Sequence, residues 1–397
     1  MGKDPVFIVG VPRSGTTLLA ALLSAHSKMS CGPETHFFRN LPNSNLDHLV
    51  GSDSWITNAV EFISSISHTS YSDSGKTLLI DKYHISKSQI ADYLRNKEPS
   101  IQNILSSITE QHMVSNGKIR WIEKTPDHIE YVHTIRKYFP TSPIIRIIRD
   151  PRDTALSLMK MPWGTMTIHE ALLYWIRIDD SSKDFFRTDK ASYTIRYEDL
   201  IQVPTDQLKE VCDFIGEEFE ESMLDTTQSG KQLNSRNVPW KEMASKPIDS
   251  SKVALWKREM SVSDILLAEA VLGDRLKEYE YSTSDTLERL GVIYPPSRVI
   301  DNHRKEFHFI ASQGVRFWKT HPGEQPSAKI YIGDPANSDW FDGKYSKKIL
   351  RTLSVIVEIV TSLFKNNKLF WISENSERSW TGLRAYLLKK LLEPYKI

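Results

Sequence analysis

The chain has 397 residues, 40% hydrophobic and 25% charged, enough for one large α/β core with an appendage. Its net charge is +1, so neither nucleic acid nor a membrane surface is an expected partner, and a polyanionic ligand must be met by locally clustered Arg and Lys. Two cysteines, Cys31 and Cys212, make no disulfide framework and, with no basic and apolar leader at the start, point to a cytoplasmic setting. No membrane span is expected, because the most hydrophobic late segment, Ile349 to Phe364, is short and carries Arg351 and Glu358.

The first element is a strand. Val6, Ile8 and Val9 form a β-branched run that breaks at a Gly/Pro/Ser-rich turn, after which Leu18, Leu19, Leu22 and Leu23 recur at helical spacing. A strand, a tight loop and a helix N-terminus follow one another, and the amides of residues 13 to 17 then face an anion. Gly10 and Gly15 permit close backbone approach, and Arg13 adds a two-pronged donor. A Walker loop reads G-x-x-x-x-G-K-[ST]; Gly10, Gly15 and Thr17 fit, but Thr16 stands where the Lys belongs. That lysine serves a Mg-bound triphosphate, so its loss argues for a different phosphate-like ligand.

Pro12-Arg-Ser-Gly-Thr-Thr17 resembles the 5′-phosphosulfate loop of sulfotransferases that use 3′-phosphoadenosine-5′-phosphosulfate (PAPS). The resemblance implies that Arg13, Ser14, Gly15, Thr16 and Thr17 bind this cofactor. Cys31-Gly-Pro-Glu34-Thr35 is similar to the tyrosylprotein sulfotransferases and their bacterial relatives, in which this Glu is the general base. Cytosolic sulfotransferases use a His from later in the chain, and His36 therefore remains a second candidate base.

Residues 40 to 117 are polar and weakly periodic, with helical pieces at Ser54 to Ile66 and Ser86 to Arg95. So long an insertion between the first and second expected strands suggests a lid or an acceptor-binding wall. The second strand, within residues 118 to 127, ends at Lys124, with Asp127 near the start of a helix to Phe139. Glu-Lys124-Thr-Pro is similar to the family's strand-end lysine, which contacts the bridging oxygen and sulfonate.

Pro143 to Ile148 is another β-branched run, ending in Arg149, with Pro151 suited to a helix's first turn. Arg149-Asp-Pro-Arg-Asp-x-x-x-Ser157 closely resembles the family's 3′-phosphate motif, which places Arg149 and Ser157 on that phosphate; a salt bridge from Arg149 to Asp150 or Asp153 is the structural alternative. Arg152 could serve the helix face. His169 to Phe186 reads as an amphipathic core helix and Ser192 to Arg196 as a strand. The following Arg196-Tyr-Glu-Asp-Leu200 resembles a family sequence in which Tyr197 lies by the adenine and Glu198 and Asp199 are structural. A helix from Pro204 to Phe214 closes at Gly216. Gln228 to Ser251 resembles the cofactor-covering loop and makes Ser235 and Lys246 candidate contacts, and a helix from Ser263 to Tyr279 ends the resemblance.

The expected fold is an α/β, P-loop nucleotide-kinase-like parallel sheet flanked by helices. Residues 1–285 form the sulfotransferase domain and 286–397 a small C-terminal α/β extension for acceptor recognition or homodimer assembly. The expected reaction moves a sulfonate from PAPS to a hydroxyl or amine of a small-molecule or carbohydrate acceptor, releasing 3′-phosphoadenosine 5′-phosphate, without a metal. Catalytic roles fall to Glu34, Lys124, Arg13 and His36. The rival readings are a P-loop small-molecule kinase and a non-catalytic nucleotide-binding interaction protein.

Overall fold

The computed structural model describes residues 3–42, 46–69, 76–161, 164–165, 167–234 and 239–283. The expectations for 286–397, and the placement of Ser235, lie outside these residues. Five strands form one sheet: β1 (Val6–Val9), β2 (Met29–Cys31), β3 (Arg120–Lys124), β4 (Ile144–Ile148) and β5 (Ser192–Arg196). The longer helices are α1 (Thr16–Ala25), α2 (Trp55–Ser65), α3 (Lys87–Leu94), α4 (Ile101–Ser115), α5 (Val132–Tyr138), α6 (Pro151–Met159), α7 (Ile168–Thr188), α8 (Pro204–Ile215) and α9 (Val262–Leu272). The described residues divide into two compact units, those within 3–149 and 178–253 and those within 150–177 and 254–283.

In the first unit the spatial order is β2-β3-β1-β4-β5 and every pairing is parallel. All five C-terminal strand ends therefore open on one edge, where open α/β sheets bind ligands beside the strand at which the order reverses. That strand is β1. Its four residues are fully buried, as a strand covered on both faces requires. Val6 and Ile8 pack with Leu19, Leu22 and Leu23 of α1 and with Leu208, Val211 and Ile215 of α8. Phe7, on the opposite face, meets Trp121 and Phe139 edge-on with centroids 5.8 and 4.9 Å apart.

Charged residues inside the buried strands are each neutralised locally. Arg120 donates to the Asp4 and Ile215 carbonyls and lies 2.9 Å from Glu217, and Arg146 lies 3.6 Å from Asp179 and 4.6 Å from the Phe186 ring centroid.

The strand at 120–124 is third in the chain, because Met29–Cys31 forms an edge strand that the sequence reading passed over. Three residues carry no period to read. The segment between β2 and β3 holds α2, α3 and α4 and a two-stranded antiparallel pair, Ser67–Thr69 with Lys76–Leu78. Ser86 and Gln89 form the capping box that starts α3.

In the second unit Arg152 is fully buried on α6. It holds Asp150 bidentately at 2.9 and 2.7 Å, lies 3.2 Å from Glu269 of α9, donates to the Ser282 carbonyl and stacks 3.6 Å from the Trp256 ring. Its role is structural. The expected single helix to Tyr279 instead breaks at Gly273, where φ is +56°, before a short helix Arg275–Glu278. Among the described residues no helix is long and apolar enough to cross a membrane.

Candidate active site

Each strand of the sheet delivers a candidate residue at its C-terminal end: Arg13 to Thr17 after β1, Glu34 and His36 after β2, Lys124 on β3, Arg149 after β4 and Tyr197 after β5. The first helical hydrogen bond of α1 runs from Leu19 N–H to the Gly15 carbonyl, so the amides from Gly15 to Leu18 precede the ladder and carry the positive end of the dipole. Gly15 has φ of +102°, and a Cβ there would fall 2.5 Å from the Tyr197 ring. A Cβ on Gly10 would fall 2.6 Å from the Ile147 carbonyl oxygen. Both glycines of the loop are thus fixed by close approach, and the loop sits tightly against β4 and Tyr197.

Arg13 occupies the left-handed region at φ +78°, a conformation that costs a non-glycine residue about 1–3 kcal/mol and is stored mainly at functional sites. Burial and the neighbouring Arg149 push its guanidinium down to about 10, against the opposing charges of Glu34 and Tyr197. Arg149 is itself buried, stacks 4.6 Å from the Tyr197 ring centroid and donates to the Lys252 carbonyl at 2.7 Å. Two guanidiniums held close in a low-dielectric place favour an anion between them. Ser14 is fully buried and its Oγ has no hydrogen-bond partner among the described residues.

Thr16 stands where a Walker lysine would be, but an ammonium reaches the loop from the neighbouring strand. Lys124, 2% exposed, donates to Thr17 Oγ1 at 3.4 Å and to Glu34 Oε1. Glu34 Oε1 also accepts from Lys241 at 3.0 Å, and Glu34 Oε2 lies 3.7 Å from His36 Nε2. Burial alone would raise the Glu34 carboxyl; Lys124, Lys241 and His36 more than reverse this and hold it well below the ordinary carboxylate range. His36 also faces Asp127 Oδ2 from Nδ1 at 3.1 Å. Burial lowers its imidazole, but the two carboxylates prevail and lift it to about 9, so it is a cation at neutral pH.

Behind this row lies a buried support. Glu123 accepts from Thr35 Oγ1 at 2.7 Å and from Thr125 Oγ1 at 2.5 Å, and lies 2.9 Å from His128 Nδ1. Thr35 N–H donates to Thr125 Oγ1, so the residue between Glu34 and His36 is tied to the end of β3. His36 has φ of +47°. The Tyr83 hydroxyl donates to the Pro33 carbonyl, and a Cβ on Gly32 would fall 2.6 Å from that ring, which accounts for the glycine before Glu34.

The first unit thus brings Arg13, Ser14, Gly15, Thr16, Thr17, Glu34, His36, Lys124, Arg149 and Tyr197 to one edge of one sheet. Lys246 is exposed and lies 3.7 Å from Glu242. Ser157 lies on α6, in the second unit. The sequence reading missed Lys241, which sits on a 3₁₀ turn, Pro239–Ser245, without hydrophobic period, and also missed Glu123 and His128. The Glu123-Lys124-Thr-Pro-Asp127-His128 run held a signal in its density of polar groups at a strand end.

A helix N-terminus backed by guanidiniums, with an ionised carboxylate and a lysine beside it, is equipment for moving an anionic group onto an acceptor. The sulfotransferase family matches residues 5–221, more than half of the chain, and the chain belongs to that family: it is a sulfotransferase, an enzyme of sulfonate transfer. It is similar to the nodulation protein NoeE of Sinorhizobium fredii, 22% identical over 76% of this chain and 72% of that protein. It is likewise similar to protein-tyrosine sulfotransferase A of Caenorhabditis elegans, 23% identical over 84% of this chain and 78% of the relative. Among solved structures, the sulfotransferase domain from the curacin biosynthetic pathway is 20% identical, covering 71% of this chain and 99% of that domain at a TM-score of 0.49.

Proposed function

We propose that the protein transfers the sulfonate of PAPS to a hydroxyl or amine of a small-molecule or carbohydrate acceptor, with Glu34 as general base. One observation carries the reading: the Lys124–Glu34 pair stands at the ends of adjacent strands, directly beside the amides and Thr17 hydroxyl of the β1–α1 loop. PAPS, when bound, supplies a sulfonate on a good phosphate leaving group. The site residues fit such a group. The loop amides, Arg13 and the unpartnered Ser14 Oγ suit its 5′-phosphosulfate end, and Arg149 suits the 3′-phosphate, to which the motif resemblance alone also assigns Ser157. Tyr197, placed by the adenine through its motif, carries Arg149 on its ring face in this structure.

With PAPS held there, Lys124 would meet the negative charge on the departing 3′-phosphoadenosine 5′-phosphate, and Glu34 would take the proton from the acceptor as its oxygen or nitrogen bonds to sulfur. A carboxylate held well below its ordinary range by Lys124, Lys241 and His36 stays ionised at neutral pH, the form a base needs. His36, cationic and braced by Asp127, orients Glu34 and orders the acceptor instead of serving as the base. The reaction needs no metal in this reading, and a cytoplasmic setting belongs to the same proposal. Incubation with ³⁵S-labelled PAPS and a fractionated metabolite extract, followed by mass spectrometry, tests it. A sulfonate gain on a hydroxyl or amine compound is expected; label that stays in PAPS across all fractions, or transfer only of a phosphoryl group from ATP, overturns it.

A further inference from the structure

Glu34 is gripped by more than the strand-end lysine. Lys241 reaches the same oxygen, Oε1, at 3.0 Å, with its side chain only 21% exposed. A buried ammonium placed next to a second one is opposed both by desolvation and by like charge, and here both push Lys241 down from its ordinary value while Glu34 pulls it back. Lys124 alone already neutralises the carboxylate, so a second cation on the same atom is more than a fold-stabilising pair needs. The segment that carries Lys241 is also held at its far end, where Arg149 donates to the Lys252 carbonyl at 2.7 Å.

We propose that Lys241 is a positioning residue for sulfonate transfer: with Lys124 it pins Glu34 Oε1, so that Oε2, on the His36 side at 3.7 Å from Nε2, is the oxygen turned to the acceptor's proton. The inference rests on the reading of Glu34 as the base. The groups facing Glu34 are Lys124 from β3, Lys241 from the 3₁₀ turn, His36 from its own loop and Arg13 from the β1–α1 loop, with the Cys31 thiol and Tyr83 phenol as neutral neighbours. Lys241 thus answers to the cofactor-covering segment, whereas Lys124 answers to the sheet.

The test is carboxyl NMR on the full chain labelled at glutamate, with Glu34→Gln identifying the resonance. In the wild type Glu34 stays ionised down to the lowest pH at which the fold survives. In Lys241→Met its midpoint climbs by about one to three pH units, as expected when one close counter-charge is removed. Lys241→Arg keeps the wild-type behaviour, a rescue that a mere packing role would not show. If Lys241→Met fails to fold, Lys241→Gln carries the same expectation. An unmoved Glu34 midpoint in the folded neutral variant overturns the assignment. Retained turnover in Glu34→Gln instead counts against the base reading itself, so the two failures are told apart.

Discussion

Lys124 and Glu34 meet across the ends of adjacent parallel strands, although 90 positions separate them in the chain. The pairing brings an ammonium to the β1–α1 loop by a route other than the loop's own sequence, since Thr16 occupies the place of the Walker lysine. An ion pair so deeply buried is a poor stabiliser on balance, because two desolvation costs set against one attraction leave little surplus. Its location at the mouth of the sheet is better explained by chemistry.

The first prediction concerns the nucleotide. On the proposed reading, in which the Arg149 motif takes a 3′-phosphate and the loop lacks a Walker lysine, the protein should bind 3′-phosphoadenosine 5′-phosphate far more tightly than ADP, with or without Mg²⁺. Arg149→Ala should weaken that binding by about 2–5 kcal/mol, the cost of removing one partner from a desolvated charge pair. Calorimetry with both nucleotides checks this, and equal affinities would refute the cofactor assignment.

The second concerns pH. The His36 imidazole is lifted from 6.5 to about 9 by Asp127 and Glu34 acting against burial. A group whose folded value is raised contributes stability that is complete below about 6.5 and is lost as the pH rises through about 9. Melting temperatures of the wild type should therefore fall between these limits more than those of His36→Asn. Parallel curves for the two proteins would show that His36 is not held as a cation.

The third concerns Arg152, which belongs to the same motif as Arg149 yet serves the fold. Its guanidinium satisfies Asp150, Glu269 and the Ser282 carbonyl with no exposed surface. Arg152→Met leaves two carboxylates buried without their partner and should cost about 3–5 kcal/mol in chemical denaturation. A loss under about 1 kcal/mol, the range of exposed pairs, would contradict the buried network.

The fourth concerns Gly15. Its φ of +102° and the Tyr197 ring beside it leave no room for a methyl group, so Gly15→Ala should destabilise the fold by at least about 1 kcal/mol and weaken nucleotide binding more than Gly117→Ala does. Gly117 also has positive φ, at +66°, but nothing lies near its absent Cβ. Binding losses of equal size at the two positions would mean that Tyr197 does not shape the loop.

Much of this was legible in the sequence because the residues concerned are local signals. Val6 to Val9 followed by Gly10 announces a buried strand and a loop, and Ile144 to Ile148 followed by Arg149 and Pro151 announces another. Glu34 stood out through a loop motif and Lys124 through one at a strand end, though nothing local says that they touch. Lys241 was out of reach for a physical reason: its partner lies 207 positions away, and its own turn offers no periodicity. Glu123 was passed over because a glutamate is ordinarily a surface residue; only the converging Thr35, Thr125 and His128 make its burial tolerable.

The most direct test of the central claim compares turnover of PAPS by the wild type, Glu34→Gln and His36→Asn, on the acceptor found by mass spectrometry, with affinity for 3′-phosphoadenosine 5′-phosphate measured alongside. Glu34→Gln keeps the shape of the side chain and should keep the affinity while losing about 10²–10⁴ in turnover, the usual worth of a positioned base. His36→Asn should lose less. Full turnover in Glu34→Gln together with none in His36→Asn would contradict the account and move the proton transfer to the histidine.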